Sequence, residues 1–305
     1  MISRRKFIGG LLGTWAGMSF LPDKLLSAQL TSIKRAIPSS SELLPIIGMG
    51  TSRTFDVGSN KEQIAQLAEV LQVFFDDGGA LVDSSPMYGS SERVLGELLK
   101  TTTNKENLFA ATKVWTYGGE SGVKQMNESL KLWGLKRFDL IQIHNLRDWK
   151  VHLKTLRDWK YKGKIRYIGI TTSHGRDHEE FVKIMKTEHL DFAQFSYNIV
   201  DRVAEKRLLP LAREKNIATI INRPFQRGEL FKKVRGKPLP EWASEFDCTS
   251  WAQYFLKFVA SNPDVANIIP ASSNVKHMAD NMAAGFGRLP DEKTRTRMIE
   301  YYEKV

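Results

Sequence analysis

Four side chains at separate places in this chain could together move a proton to and from a carbonyl oxygen. Asp83 ends the apolar run Ala80-Leu81-Val82, and Tyr88 follows it by five residues, beyond Ser84-Ser85-Pro86-Met87. Lys113 ends Phe109-Ala110-Ala111-Thr112, and His144 ends Leu140-Ile141-Gln142-Ile143. A charge that caps an apolar strand must be paired or solvated, because burying it alone costs several kcal/mol. Asp83 and Lys113 are therefore expected to form an ion pair, with the same ammonium facing the Tyr88 phenol. A nearby ammonium stabilises phenolate, so the tyrosine is expected to titrate below its usual ~10. Such a phenol can protonate a carbonyl oxygen, while a neutral His144 hydrogen-bonds and orients that oxygen. Nothing in the set attacks covalently, so the arrangement fits hydride transfer with the hydride supplied by a cofactor. The bland alternative is a satisfied polar network at the rim of the fold.

These residues need a scaffold that brings strand ends together. Apolar runs predict strands over 44–49, 80–84, 108–114, 138–144, 165–171, 192–196, 217–222 and 266–270. Helices are expected between them, over 61–77, 91–101, 119–133, 149–162, 179–186, 205–215, 250–260 and 275–284, with a final polar helix from about Pro290. Strictly alternating strands and helices call for a parallel sheet wrapped in helices. Eight such units fit a (β/α)8 TIM barrel, a single α/β domain over 29–305, whose ligands bind at the carboxyl ends of the strands. Gly48-Met49-Gly50-Thr51 lacks the third glycine of a dinucleotide fingerprint, so an open Rossmann sheet is disfavoured. The polar stretch 29–45, with Pro38 and Ser39-Ser40-Ser41, reads as a linker or as a short hairpin over one end of the fold.

Composition narrows the partners. The formal net charge is +11, but the first 28 residues hold Arg4, Arg5, Lys6 and Lys24 against Asp23 alone. Beyond them basic residues are dispersed, which fits a solvated surface or anionic small ligands and not a nucleic-acid groove. The one cysteine, Cys248, excludes an intrachain disulfide and any zinc cluster built on several thiolates, and it lacks basic neighbours that would make it reactive. His152, His174, His178 and His189 show no ligand spacing and read as surface or loop residues, so no metal is expected.

The N-terminus, Met1-Ile2-Ser3-Arg4-Arg5-Lys6-Phe7-Ile8, is a short basic segment followed by a Gly-rich apolar one reaching Pro22. That apolar part falls short of the ~20 residues needed to span a bilayer. Leu26-Ser27-Ala28 offers a small residue where a signal peptidase could cut. Ser-Arg-Arg-Lys-Phe-Ile resembles the twin-arginine signal that exports folded proteins across the bacterial inner membrane. Residues 1–28 are accordingly expected to be a signal peptide, with the export machinery as a partner and the periplasm as the destination. No stable membrane span is expected.

The set Asp83, Tyr88, Lys113 and His144 resembles the catalytic tetrad of the aldo-keto reductases. The matching stretches are Pro45–Thr51, Val82–Glu92, Thr112–Trp115, Asp139–Asn145, Lys164–Ile170 and Ile268–Ser273, in order along roughly 43–286. The nearest branch is a bacterial one carrying a twin-arginine signal. The resemblance implies Tyr88 as general acid and base, Lys113 and Asp83 tuning it, and His144 orienting the carbonyl of a small-molecule substrate. It also implies NADP, with NAD as the alternative, lying across the barrel mouth. Thr171, Thr172 and Gln194 would meet the nicotinamide carboxamide. Asn222 stands where members carry a ring-stacking tyrosine, so stacking falls to another residue such as Phe225. The basic residues that hold the 2′-phosphate in many members correspond to Ala271 and His277. Ser272, Ser273, Asn274 and Lys276 remain available, and Asn281 matches an adenine-binding asparagine. Met87, Trp115 and Tyr117 could wall an apolar substrate pocket.

Two other readings stay open. The barrel could be a non-catalytic, nucleotide-binding redox sensor acting on an envelope partner. Isomerase or hydrolase chemistry would need a second carboxylate at the mouth, for which Glu92 and Asp148 are the candidates.

Overall fold

The computed structural model describes residues 31–305, so the expected signal over 1–28 lies outside the described residues. Eight parallel strands pair in chain order: Met49–Gly50, Leu81–Asp83, Phe109–Val114, Phe138–His144, Ile165–Thr171, Phe192–Ser196, Ala218–Asn222 and Asn267–Ile268. The last meets the first. Ile47 bridges Ile268 in parallel, Gly48 N–H donates to the Ile268 carbonyl at 2.8 Å, and Gly50 N–H donates to Pro270 at 3.1 Å. The sheet thus closes into the expected (β/α)8 barrel.

Side-chain alternation sorts each strand into two cores. Val82, Ala110, Val114, Ile141 and Ile143 point outward and pack against the helices. Leu81, Phe109, Ala111, Leu140, Tyr167, Phe192 and Ile220 fill the barrel interior. Strands buried on both faces carry near-continuous apolar runs, which is why these segments are legible in the sequence. Asp83, Lys113, Gln142, His144 and Gln194 share the inward parity and stand above the apolar filling, at the carboxyl ends of their strands.

The other end is plugged. Lys34–Ala36 and Leu43–Pro45 form an antiparallel hairpin whose Ile37 and Leu44 join the interior cluster. Arg166 pairs with Glu42 and, at 2.7 Å, with Asp139, while the Tyr167 hydroxyl donates to Glu42 at 2.6 Å. The expected strand over 44–49 is therefore two short pieces. Leu43–Pro45 belongs to the hairpin, whose pairing runs on to the Ile46 N–H, bonded to the Ile33 carbonyl at 2.9 Å, before Met49–Gly50 enters the barrel.

The helix expected over 205–215 is also two, Val203–Lys206 and Leu208–Glu214. Pro210 cannot donate to Lys206 and its ring crowds that carbonyl, so the chain breaks at Arg207. His152, expected at the surface, is buried on the helix Trp149–Tyr161 with Nε2 2.8 Å from the Thr116 carbonyl. It faces Gly122 on the neighbouring helix Gly119–Trp133, where a Cβ would come within 2.7 Å of its ring.

Candidate active site

The loop that carries Tyr88 is tied down on both sides. Tyr88 N–H donates to the Ser85 carbonyl at 2.9 Å, and Ser91 N–H donates back to the Tyr88 carbonyl at 3.1 Å. The Asp56 carboxylate then accepts both the backbone N–H and the hydroxyl of Ser90 at 2.9 Å, ahead of the helix Ser91–Leu98. Gly89 makes this possible. It has φ +56°, and an added Cβ would strike the same carboxylate at 2.4 Å.

Lys113 is fully buried, and its Nζ lies 2.5 Å from Asp83 Oδ2 and 2.7 Å from the Ser84 carbonyl. The third ammonium donor remains for the phenol, the Tyr88 ring centre being 5.0 Å away. Gln142 Nε2 donates to the second Asp83 oxygen at 3.2 Å. The rings of Tyr88 and His144 stand perpendicular with centres 5.7 Å apart, and His144 Nδ1 is 2.9 Å from Ser85 Oγ. All four expected side chains thus converge at the barrel mouth.

Electrostatics follow from burial set against pairing. Burial disfavours the Lys113 ammonium, but Asp83 and Tyr88 together outweigh it and hold its pKa above the ordinary lysine value. Burial lifts the Asp83 carboxyl above its ordinary value despite Lys113. These opposed directions describe one coupled pair. We take it as ionised at neutral pH, because Nζ is bonded to both a carboxylate and a carbonyl and Gln142 supplies a further donor. Burial, Lys113 and Arg147 push His144 down to about 2, so its ring is neutral.

The expected depression of the Tyr88 pKa does not occur. Burial raises the phenol above its ordinary value. Lys113 pulls it down, but Asp83 lies close enough to offset part of that pull. The residue as a whole keeps partial solvent contact.

Around these four, Trp115 is half-buried with its ring centre 6.5 Å from that of His144, while Met87 and Tyr117 are exposed on the rim. Glu92 is not at the mouth. It sits on the outward face, where Thr112 Oγ1 (2.5 Å), Ser129 Oγ (2.8 Å) and Trp133 Nε1 (3.1 Å) all donate to it. Asp148 accepts the Gly118 N–H at 2.8 Å. Neither stands beside Asp83, which removes the geometry that isomerase or hydrolase chemistry would need.

A sequence profile of the aldo/keto reductase family matches residues 46–297. The chain belongs to that family. Its members are oxidoreductases of the carbonyl–alcohol couple. Methylglyoxal reductase YeaE from Escherichia coli (strain K12) is 25% identical over 248 residues, spanning 79% of this chain and 85% of that protein. Aldo-keto reductase YhdN from Bacillus subtilis (strain 168) is 26% identical over 197 residues, 59% of this chain and 56% of that protein. The crystal structure of an aldo-keto reductase from Klebsiella pneumoniae in complex with NADPH has the same fold. Its TM-score is 0.73 at 20% identity, covering 90% of this chain and 96% of that one.

In this aldo/keto reductase the residues named for cofactor binding occupy the later strands. Thr171 and Thr172 are buried, but the Thr172 hydroxyl is spent on the Arg176 carbonyl at 2.7 Å. Gln194 lies close enough to Asp83 to favour its charged form, yet its Nε2 is buried with no hydrogen-bond partner among the described residues. Asn222 is clamped, accepting from Ser196 Oγ at 2.7 Å and donating to the Thr172 carbonyl at 2.9 Å. Phe225 is half-buried and packs against Phe231 with ring centres 5.0 Å apart. Asn274 caps the helix Val275–Ala283 by accepting the His277 N–H at 3.1 Å, and Ser272 Oγ accepts the Asn274 N–H at 3.0 Å. Ser273, Lys276 and His277 are exposed around that helix start, and Asn281 is buried one turn further on.

Sequence reasoning missed three groups. Ser85 and Gln142 hold His144 and Asp83; the two-residue spacing of Gln142 from His144 on one strand was the available signal. Arg223 and Arg227, from the loop after the seventh strand, crowd Arg176 and His174, from the loop after the fifth. Burial and the mutual repulsion of these cations depress both Arg223 and His174, with Asp201 as the acid that opposes it at Arg223. Arg223 Nη1 is buried with no hydrogen-bond partner among the described residues. An orphaned guanidinium donor inside a cationic cluster fits a phosphate-bearing ligand, and the Gln194 amide fits a carboxamide.

Proposed function

We propose that this chain is an NADP(H)-dependent carbonyl reductase, folded with its cofactor and exported by the twin-arginine route to the periplasm. The carrying observation is the buried Lys113, bonded to Asp83 at 2.5 Å and turned to the Tyr88 ring, with His144 beside it. Gln194, Arg223 and the start of the helix Val275–Ala283 would hold the dinucleotide, which supplies a hydride when bound. YeaE's name points to a small, reactive aldehyde as the kind of substrate.

The chain's own part is to bind one oxygen and move one proton. Ser85 Oγ already accepts the Met87 N–H at 3.2 Å and can donate its own hydroxyl hydrogen bond to His144 Nδ1. His144 then carries its hydrogen on Nε2 and donates it to the substrate oxygen. As negative charge grows on that oxygen, Tyr88 delivers the phenolic proton, and Lys113 stabilises the phenolate left behind. Asp83 and Gln142 fix the ammonium in place. A raised phenol pKa keeps the proton on Tyr88 at neutral pH, the state the reducing direction requires.

Replacing Tyr88 by Phe is expected to lower aldehyde-dependent loss of absorbance at 340 nm by at least ~100-fold, while NADPH binding persists. Equal rates in the two proteins would instead support a non-catalytic nucleotide-binding barrel.

A further inference from the structure

The short loop after the fourth strand does more than end it. Arg147 N–H closes a turn onto the His144 carbonyl at 3.2 Å, and Asn145, Leu146 and Asp148 all adopt positive φ, between 48° and 55°. Left-handed backbone is uncommon outside glycine, and Leu146 has no polar side chain to offset it. Strain concentrated in this way is characteristic of functional loops.

The loop presents one side chain to the mouth. The Arg147 guanidinium lies 4.3 Å from the Trp115 ring centre and 4.7 Å from that of Tyr117. Two aromatic rings lie against it, while its N–H groups form no hydrogen bond or ion pair among the described residues. The adjacent acid, Asp148, is occupied by Gly118 N–H and ties the two loops together. Trp115 is in turn clamped by Gln125, which accepts its N–H at 2.6 Å and donates to its carbonyl at 3.2 Å. Beside Arg147, Asn145 Oδ1 is buried without a hydrogen-bond partner. The arginine's field reaches His144, the residue proposed to orient the carbonyl. A planar cation held in a fixed frame, with its donors unspent, matches a carboxylate.

We infer that Arg147 selects substrates that carry a carboxylate a few bonds from the reacting carbonyl. The inference rests on the carbonyl-reduction reading for its purpose, but its binding chemistry can be tested separately.

The decisive comparison is 4-oxobutanoate against butanal, substrates of similar length that differ in one carboxylate. The parent is expected to favour the anion in kcat/KM by at least about tenfold, the range of a charge-assisted bidentate contact. Arg147→Met is expected to collapse that ratio, mainly through KM for the anion. Arg147→Lys keeps the charge but loses the fork, and is expected to fall between. An unchanged ratio in Arg147→Met overturns the inference. If neither aldehyde is reduced, the carbonyl reading itself fails, and binding decides the subsite. By calorimetry on the intact protein, succinate should bind at least about tenfold more tightly than succinamide, and Arg147→Lys should weaken succinate. Equal affinities of the two ligands for the unsubstituted protein overturn the inference without recourse to any variant.

Discussion

At the scale of single residues, the site is an electrostatic balance between burial and pairing. Lys113→Met leaves Asp83 buried without its partner and is expected to cost ~3–5 kcal/mol of unfolding free energy, read from urea titration. Adding Asp83→Leu removes the stranded charge, so the double variant should recover most of that stability while remaining inactive. A double variant no more stable than Lys113→Met would mean that the pair is not the source of the loss. The pH profile follows from the two ring groups. Reduction needs the protonated phenol, whose pKa is raised, so the acid form survives to higher pH and activity falls only above the ordinary tyrosine range. His144, pushed down to about 2, adds no limb at lower pH. The expected kcat/KM profile is flat between about pH 6 and 9, and an inflection near 6.5 would contradict the neutral, buried imidazole.

At the scale of elements, the barrel holds these groups through register and close approach. The parallel pairing sets Lys113 against Gln142 and His144 against Thr171, so inward parity delivers a polar layer without bending any strand. Around it the helices pack tightly. On Ser91–Leu98, Gly96 meets the helix Gly119–Trp133 so closely that an added Cβ would lie 1.8 Å from the Leu132 carbonyl. Backbone cannot yield as a flexible side chain can. Gly96→Ala is thus expected to lower stability by ~1–3 kcal/mol in thermal or urea unfolding, with the shift carried to the loop that holds Tyr88. An unchanged midpoint would mean that the helices can separate freely.

At the scale of the whole molecule, one end is sealed by a hairpin and the other bears the chemistry. Among the described residues no helix is long and apolar enough to cross a membrane. Export, if it uses the N-terminal pair, should respond to charge geometry alone. Arg4→Lys with Arg5→Lys is expected to retain the protein in the cytosol with activity intact, measured by fractionation. Periplasmic recovery of that variant would remove the twin-arginine assignment. Loading before export also predicts that the mature protein purifies with bound nucleotide, seen as absorbance near 340 nm after reduction.

The sequence by itself determined the alternation of strands and helices, because buried parallel strands need unbroken apolar runs and the helices between them need a 3.6-residue period. It also determined which polar residues cap those runs, hence Asp83, Lys113 and His144 at one face. It did not determine the sign of the Tyr88 shift, which depends on how deeply the phenol is enclosed and how near Asp83 stands to it. Nor did it separate the hairpin from the first barrel strand, or gather Arg176 with Arg223 and Arg227, which follow it by 47 and 51 residues. Those outcomes depend on distances between chain-distant atoms, and only closure of the barrel sets them.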